Sequence, residues 1–157
     1  MKKPNKFLFF LLTFFLFAGV NFYLSNIISH KLLQGWHFSN SLINIVYIEN
    51  TGAAFSIMQN STKFLIILSV IALLAIFYYI VKHLETVQPK VIFFLSLLAS
   101  GIFGNLYERL FFGHVRDFFD LVFINFPIFN LSDIFINIGV LGIIILILLT
   151  KKPIKIL

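Results

Sequence analysis

Cysteine is absent from this chain, and acids are scarce: six aspartates and glutamates stand against 12 lysines and arginines. The first absence excludes disulfides, a thiolate nucleophile, zinc–thiolate sites and lipidation of the chain's own cysteine. The histidines at 30, 37, 83 and 114 have no ligand-like spacing and no HExxH occurs. A zinc peptidase is thereby disfavoured, and no metal or other cofactor is expected. No serine stands in a GxSxG context and no Ser–Lys arrangement has a matching setting, which argues against a serine hydrolase. What is abundant is apolar. The 157 residues are 60% hydrophobic, include 22 phenylalanines and have a mean hydropathy of +1.00. That is too apolar for an ordinary soluble domain, and the phenylalanines read as lipid-facing filler rather than stacking platforms.

Four apolar runs, at about residues 7–24, 64–81, 91–107 and 133–149, are long enough for short membrane-spanning helices. The reading is an all-α membrane protein with four transmembrane helices and a small extracytoplasmic β-sheet, in one membrane-embedded domain over residues 1–157. Lys2, Lys3, Lys6, Lys82, Lys90, Lys151, Lys152 and Lys155 flank the runs on one side, leaving Lys31, Lys63, Arg109 and Arg116 for the other. The positive-inside rule then puts both termini in the cytoplasm and makes the net charge of +6 a topology signal rather than a nucleic-acid footprint. The basic start and first run lack a small-x-small cleavage site, so they read as a retained anchor, not a cleaved signal peptide. The outer loops, about 25–63 and 108–132, then collect most of the polar chemistry. Residues 41–48 have strand character, Asn50-Thr51-Gly52 is a turn signal, and Asn60-Ser61-Thr62 suits a helix start.

Polar residues gather in three islands. Asp117 and Asp133 each lie where an apolar segment meets water, a costly place for a carboxylate without a task or a partner. Two carboxyls brought together can share one proton, one serving as base and the other as acid. The plainer readings are a loop ion pair for Asp117, with Arg116 or Arg109, and a helix cap for Ser132 or Asp133. One such cap suffices, however, and Asn130, Ser132, Asp133 and Asn137 together exceed the need. Gly101, Asn105 and Arg109 lie one turn apart on a single helix face, suited either to plain packing or to supporting a site. Asn50-Thr51-Gly52-Ala53-Ala54-Phe55 is either a simple turn or a place where backbone passes close to a ligand. A channel or transporter subunit is the alternative of another class; it would spread polar groups through the membrane depth, whereas here they cluster at one edge.

In order and spacing these islands resemble signal peptidase II, the bacterial lipoprotein signal peptidase family. The resemblance rests on Asn50-Thr51-Gly52-Ala53-Ala54-Phe55, Gly104-Asn105-Leu106-Tyr107-Glu108-Arg109, Gly113-His114-Val115-Arg116-Asp117-Phe118 and Phe129-Asn130-Leu131-Ser132-Asp133. It implies four membrane helices with a periplasmic β-cradle and an amphipathic periplasmic helix, in the bacterial cytoplasmic (inner) membrane. It also implies an aspartyl endopeptidase that cleaves prolipoproteins before a diacylglyceryl-modified cysteine. Asp117 and Asp133 are then the catalytic pair, and Asn50, Gly52, Asn105, Arg109 and Asn130 the substrate-binding and supporting residues. The partners implied are lipid-modified prolipoproteins and membrane lipids, with no nucleic acid and a monomeric enzyme. Two positions depart from the family pattern. Its first helix usually ends in Asp-Gln…Lys, where this chain reads Asn21-Phe22-Tyr23-Leu24-Ser25, and it usually has aspartate where Glu108 stands. Neither change touches the two aspartates.

Overall fold

The structure, a computed structural model, describes residues 5–52 and 59–149. Ala53, Ala54 and Phe55 of the first island, and Lys2, Lys3, Lys151, Lys152 and Lys155 of the charge argument, lie outside the described residues. Four helices carry the fold: α1 (Lys6–Leu33), α2 (Thr62–Lys82), α3 (Pro89–Phe112) and α4 (Leu131–Leu149). All four are long and apolar enough to cross a membrane. A three-stranded antiparallel sheet, β1 (Phe38–Ser39), β2 (Ile43–Asn50) and β3 (Val115–Leu121), sits at one end of the bundle.

The helix boundaries follow local chemistry. Asn5 caps α1, its side chain accepting a hydrogen bond from the Leu8 N–H. Pro89 opens α3, where its missing N–H costs nothing, and Gly113 closes it in the left-handed region at φ 81°. Ser61 stands at the N-cap position of α2 but makes no side-chain capping bond.

Helix α1 differs from the sequence reading by running on from Leu24 to Leu33. Hydropathy falls there, but the helical pattern persists: Asn21, Ser25 and Ser29 recur at four-residue intervals and are all buried. Ser29 Oγ donates to the Ser25 carbonyl oxygen at 2.7 Å within the helix, while Asn21 Nδ2 reaches across to the Ser132 hydroxyl of α4 at 2.7 Å. Likewise α3 continues past residue 107 to Phe112, and β3 occupies part of what reads as an outer loop. Among the described residues no separate amphipathic helix accompanies the sheet; residues 53–58, just ahead of α2, lie outside them.

Helix α3 is the centre of the bundle. Of its apolar stretch 56% is buried, against 11–22% for the other helices, and it packs on α1, α2 and α4. Its contact with α4 is close because glycines line it. A Cβ on Gly139 would stand 2.8 Å from the backbone nitrogen of Leu98, and one on Gly101 would stand 2.5 Å from the Ser132 carbonyl oxygen. At the end away from the sheet, Phe10, Ile80, Val87, Val91 and Ile92 form an apolar core. There Lys6 Nζ donates to the Glu85 carbonyl oxygen at 2.9 Å, tying the start of α1 to the α2–α3 connection.

Strands β2 and β3 pair from Ile43↔Leu121 to Asn50↔Val115, with an extra residue accommodated on β2 between Ile45 and Ile48. This bulge lies across from Phe118, next to Asp117, and re-aims the strand there.

The α3–α4 contact makes a specific prediction. Gly139→Ala must push backbone against backbone and will destabilise the protein by about 1–3 kcal/mol, read as a lower thermal midpoint in detergent. Gly19→Ala enters open space on α1 and will leave the midpoint within about 0.5 kcal/mol of the parent.

Candidate active site

Asn130 ends the loop before α4, and a reciprocal pair of hydrogen bonds starts the helix. Its Oδ1 accepts from the Asp133 N–H at 3.0 Å, while its own N–H donates to Asp133 Oδ2 at 3.1 Å. This is a capping box with asparagine as the cap and aspartate three residues on. The cap is therefore Asn130 and not Ser132, whose hydroxyl accepts from Asn21 Nδ2 of α1 at 2.7 Å. Capping fixes the Asp133 carboxylate at the mouth of the bundle. Asn105 Nδ2, from α3, donates to its other oxygen, Oδ1, at 2.8 Å.

The same Asn130 reaches Asp117. Its Nδ2 donates to Asp117 Oδ1 at 2.8 Å and to Asn105 Oδ1 at 3.1 Å. Asn50 completes the set from β2, its Nδ2 donating to Asp117 Oδ2 at 2.8 Å. The Asn50 amide is oriented by its other end, because Oδ1 accepts the Gly52 N–H at 2.9 Å in a side-chain-closed turn. Asn50, Asn105 and Asn130 thus hold both aspartates with neutral donors, and a single residue, Asn130, touches the two carboxylates at once.

Arg109 lies one turn beyond Asn105 and is also buried. Its Nη2 donates to the Gly52 carbonyl oxygen at 2.8 Å, and its Nη1 to the Asn105 carbonyl oxygen at 3.4 Å. It straps the 50–52 turn onto α3. Asn137, a turn after Asp133, donates to the Asp133 carbonyl oxygen at 2.9 Å rather than to its carboxylate.

The ion-pair alternative for Asp117 does not hold among the described residues. Arg116 faces the other side of β3 and pairs with Glu108 at 2.6 Å, while Arg109 is spent on carbonyls. Asp117 is 3% exposed and has only neutral donors. Burial pushes its carboxyl up to about 7; the Asn50 hydrogen bond opposes this and the nearby Asp133 charge adds to it.

Both aspartates line one groove of about 490 Å³. Asn50, Asn105 and Arg109 share its polar end. Its apolar wall runs from Val115, Leu121, Phe126 and Phe129 along α4 through Ile134, Ile138 and Leu141. Residues 134, 138 and 141 fall on one helix face, so the groove descends along α4 into its membrane-spanning length.

Several supporting residues went unread in the sequence. Asn26 accepts from Arg116 Nη1 and Nη2 at 3.2 and 3.3 Å, and Asn21 holds Ser132. The signal for Asn21 was the four-residue polar repeat on α1, which a hydropathy boundary at Leu24 cuts in half; Asn26 stands outside that repeat. Helix α1, lacking the family's acid and lysine, is tied to the site by these neutral amides. Gly104 makes the Asn21 contact possible, since a Cβ there would collide with the Asn21 amide and the Ser132 hydroxyl.

The fold is that of a multi-pass bacterial membrane enzyme. Two solved bacterial membrane enzyme structures, determined by the in meso method at 2.3 and 1.9 Å, superpose with TM-scores of 0.78 and 0.76 at 30% and 31% identity. They cover 93% and 91% of this chain and 94% of each of theirs. The family model described as signal peptidase (SPase) II matches residues 15–149. The lipoprotein signal peptidase of Caldicellulosiruptor bescii is 39% identical over 120 residues, 71% of this chain and 77% of that protein. That of Latilactobacillus sakei is 32% identical over 137 residues, 80% of this chain and 90% of the relative. The chain belongs to the signal peptidase II family of membrane-embedded lipoprotein signal peptidases.

The elevated Asp117 carboxyl has a consequence for stability. The folded state holds this proton more tightly than the unfolded chain, whose ordinary value is 3.8. The advantage is complete below that value and is lost as pH rises through about 7. Thermal midpoints in detergent will therefore fall from pH 5 to pH 8, by up to about 1.4 kcal/mol per pH unit at the steepest. Asp117→Asn, which cannot titrate, will flatten that slope.

Proposed function

We propose that the chain is an aspartyl endopeptidase that removes signal peptides from diacylglyceryl-modified prolipoproteins, cutting just before the lipid-modified cysteine. The observation that carries this reading is Asn130 bonded to both Asp117 and Asp133 in a groove whose apolar wall follows α4. In this reading both termini are cytoplasmic, the sheet and the aspartates lie on the outer side, and the enzyme works as a monomer. Residues 1–157 act as one peptidase unit.

Amide hydrolysis needs a base for water and an acid for the carbonyl. The ionised carboxylate of the pair takes a proton from a water held between the two aspartates, and the hydroxide attacks the scissile carbonyl carbon. The protonated partner hydrogen-bonds and then protonates the carbonyl oxygen. Collapse of the tetrahedral intermediate returns that proton to the pair and breaks the C–N bond. The second proton passes to the leaving nitrogen, which departs as the free amine of the lipid-modified cysteine. Base and acid are properties of the coupled pair, which titrates as one unit. Asn50, Asn105 and Asn130 keep the carboxylates oriented in either protonation state, because an amide donates to charged and neutral carboxyls alike. Gly52 and Arg109 fix the turn from which Asn50 reaches in. The groove beside α4 takes the acyl chains, and its polar end takes the peptide backbone.

An ion path would instead string polar groups along the bundle. Here the hydroxyls of Ser96 and Ser100, deeper along α3, are taken up by backbone carbonyls, Ser96 by Ile92 and, across the α1 contact, Phe10, and Ser100 by Leu97.

The test is processing in cells depleted of their own lipoprotein signal peptidase. Wild type will convert lipid-modified prolipoprotein to its mature size, whereas Asp117→Asn and Asp133→Asn will each lose at least about 1,000-fold in rate. Full processing by either variant rules out the pair.

A further inference from the structure

Beside the candidate site lies a charged cluster that touches no part of the groove. Arg116 immediately precedes Asp117 in β3, and neighbouring residues of a strand point to opposite faces. While Asp117 turns to the groove, Arg116 turns to the helices and meets Glu108 of α3 three times. Its N–H donates to Glu108 Oε2 at 2.7 Å, its Nε to Oε1 at 3.1 Å, and its Nη2 to Oε1 at 2.6 Å. Both side chains are buried. The guanidinium also stacks 4.5 Å over the Phe112 ring and reaches Asn26 Oδ1 on α1. The Arg116 side chain thus joins β3 to two helices, and the Glu108 carboxylate anchors the backbone N–H one residue away from the aspartate.

We propose that Glu108, Arg116 and Asn26 form a positioning clamp that sets the backbone of β3 and so aims Asp117 at the groove. The proposal rests on the peptidase reading, and none of the three lines the groove. A buried arginine–carboxylate pair in which Nε and Nη2 converge on one oxygen while the other takes the backbone N–H is directional, and its separation from the groove leaves aiming as its contribution to the reaction. Helix α1, which gives the groove no lining residue, joins the site through the Asn26 contact. The charged groups that act on Asp117 through space are Asp133 from α4 and Glu108 and Arg109 from α3, Glu108 doing so from the opposite face of β3.

The experiment uses the full chain in detergent with a synthetic lipopeptide carrying a diacylglyceryl cysteine. Arg116→Gln is expected to lower kcat about 100-fold, the effect of displacing a reacting group by about 1 Å, with KM little changed. It also leaves Glu108 uncompensated near Asp117, so the acid limb of the kcat/KM–pH profile moves to higher pH. Glu108→Gln leaves the arginine uncompensated, and the limb moves to lower pH. In the double variant the limb returns to the wild-type position while kcat stays low. Opposite displacements that cancel are not produced by general loosening of the fold. Asn26→Ala removes only the α1 leg and is expected to lower kcat about 10-fold; it carries the test if a charge variant fails to fold, as judged by thermal midpoint. Wild-type kcat in the variants that fold, a loss confined to KM, or limbs that stay in place overturns the clamp. If Asp117→Asn still cleaves, the peptidase reading falls with it. If Asp117→Asn is dead and the clamp variants behave as wild type, the clamp alone is wrong.

Discussion

The Asn130 amide is the interaction on which the rest of the site depends. It starts α4, takes one carboxylate by its backbone N–H, takes the other by its side chain, and touches Asn105 on α3. Among the described residues no other is bonded to so many elements of the site. A helix cap is normally a local device, contributing about 1 kcal/mol to one helix end. Here the cap also measures the separation between β3 and α4, so helix initiation and the spacing of the two acids are one event. The glycine-lined contact between α3 and α4 serves the same end, because Asn105 reaches Asp133 only when these helices approach closely.

Much of this was legible beforehand. Four spanning helices follow from hydropathy alone, and the sequence singled out Asp117, Asp133, Asn50, Asn105, Arg109 and Asn130, of which the first five line one groove and Asn130 bonds both aspartates. The misreadings have physical causes. Hydropathy ended α1 at Leu24, yet a helix continues wherever its backbone bonds are satisfied and one face can be buried, as Asn21, Ser25 and Ser29 are. Ser132 looked like a capping residue by type, but Asn130 stands one residue before the first helical turn and has the reach for both directions of a capping box. Arg116 looked like a partner for Asp117 because the two are adjacent in sequence. In a strand adjacency places side chains on opposite faces, and the arginine found Glu108 instead.

The departures from the family pattern also acquire a physical meaning. Asn21 meets Ser132 through an amide and a hydroxyl, with Gly104 clearing the space. A neutral hydrogen bond of this kind requires no ion to be moved out of water, so α1 docks on the head of α4 without a buried charge of its own. The longer arm of Glu108 spans a carboxylate fork that serves a guanidinium and a backbone N–H together.

Around the two acids the protein has placed amides where lysines or arginines would have bound more strongly. Mobile ions screen formal charges far more effectively than fixed dipoles enclosed by apolar walls. A pair of acids held by amides therefore keeps its alignment in brackish and dilute surroundings alike.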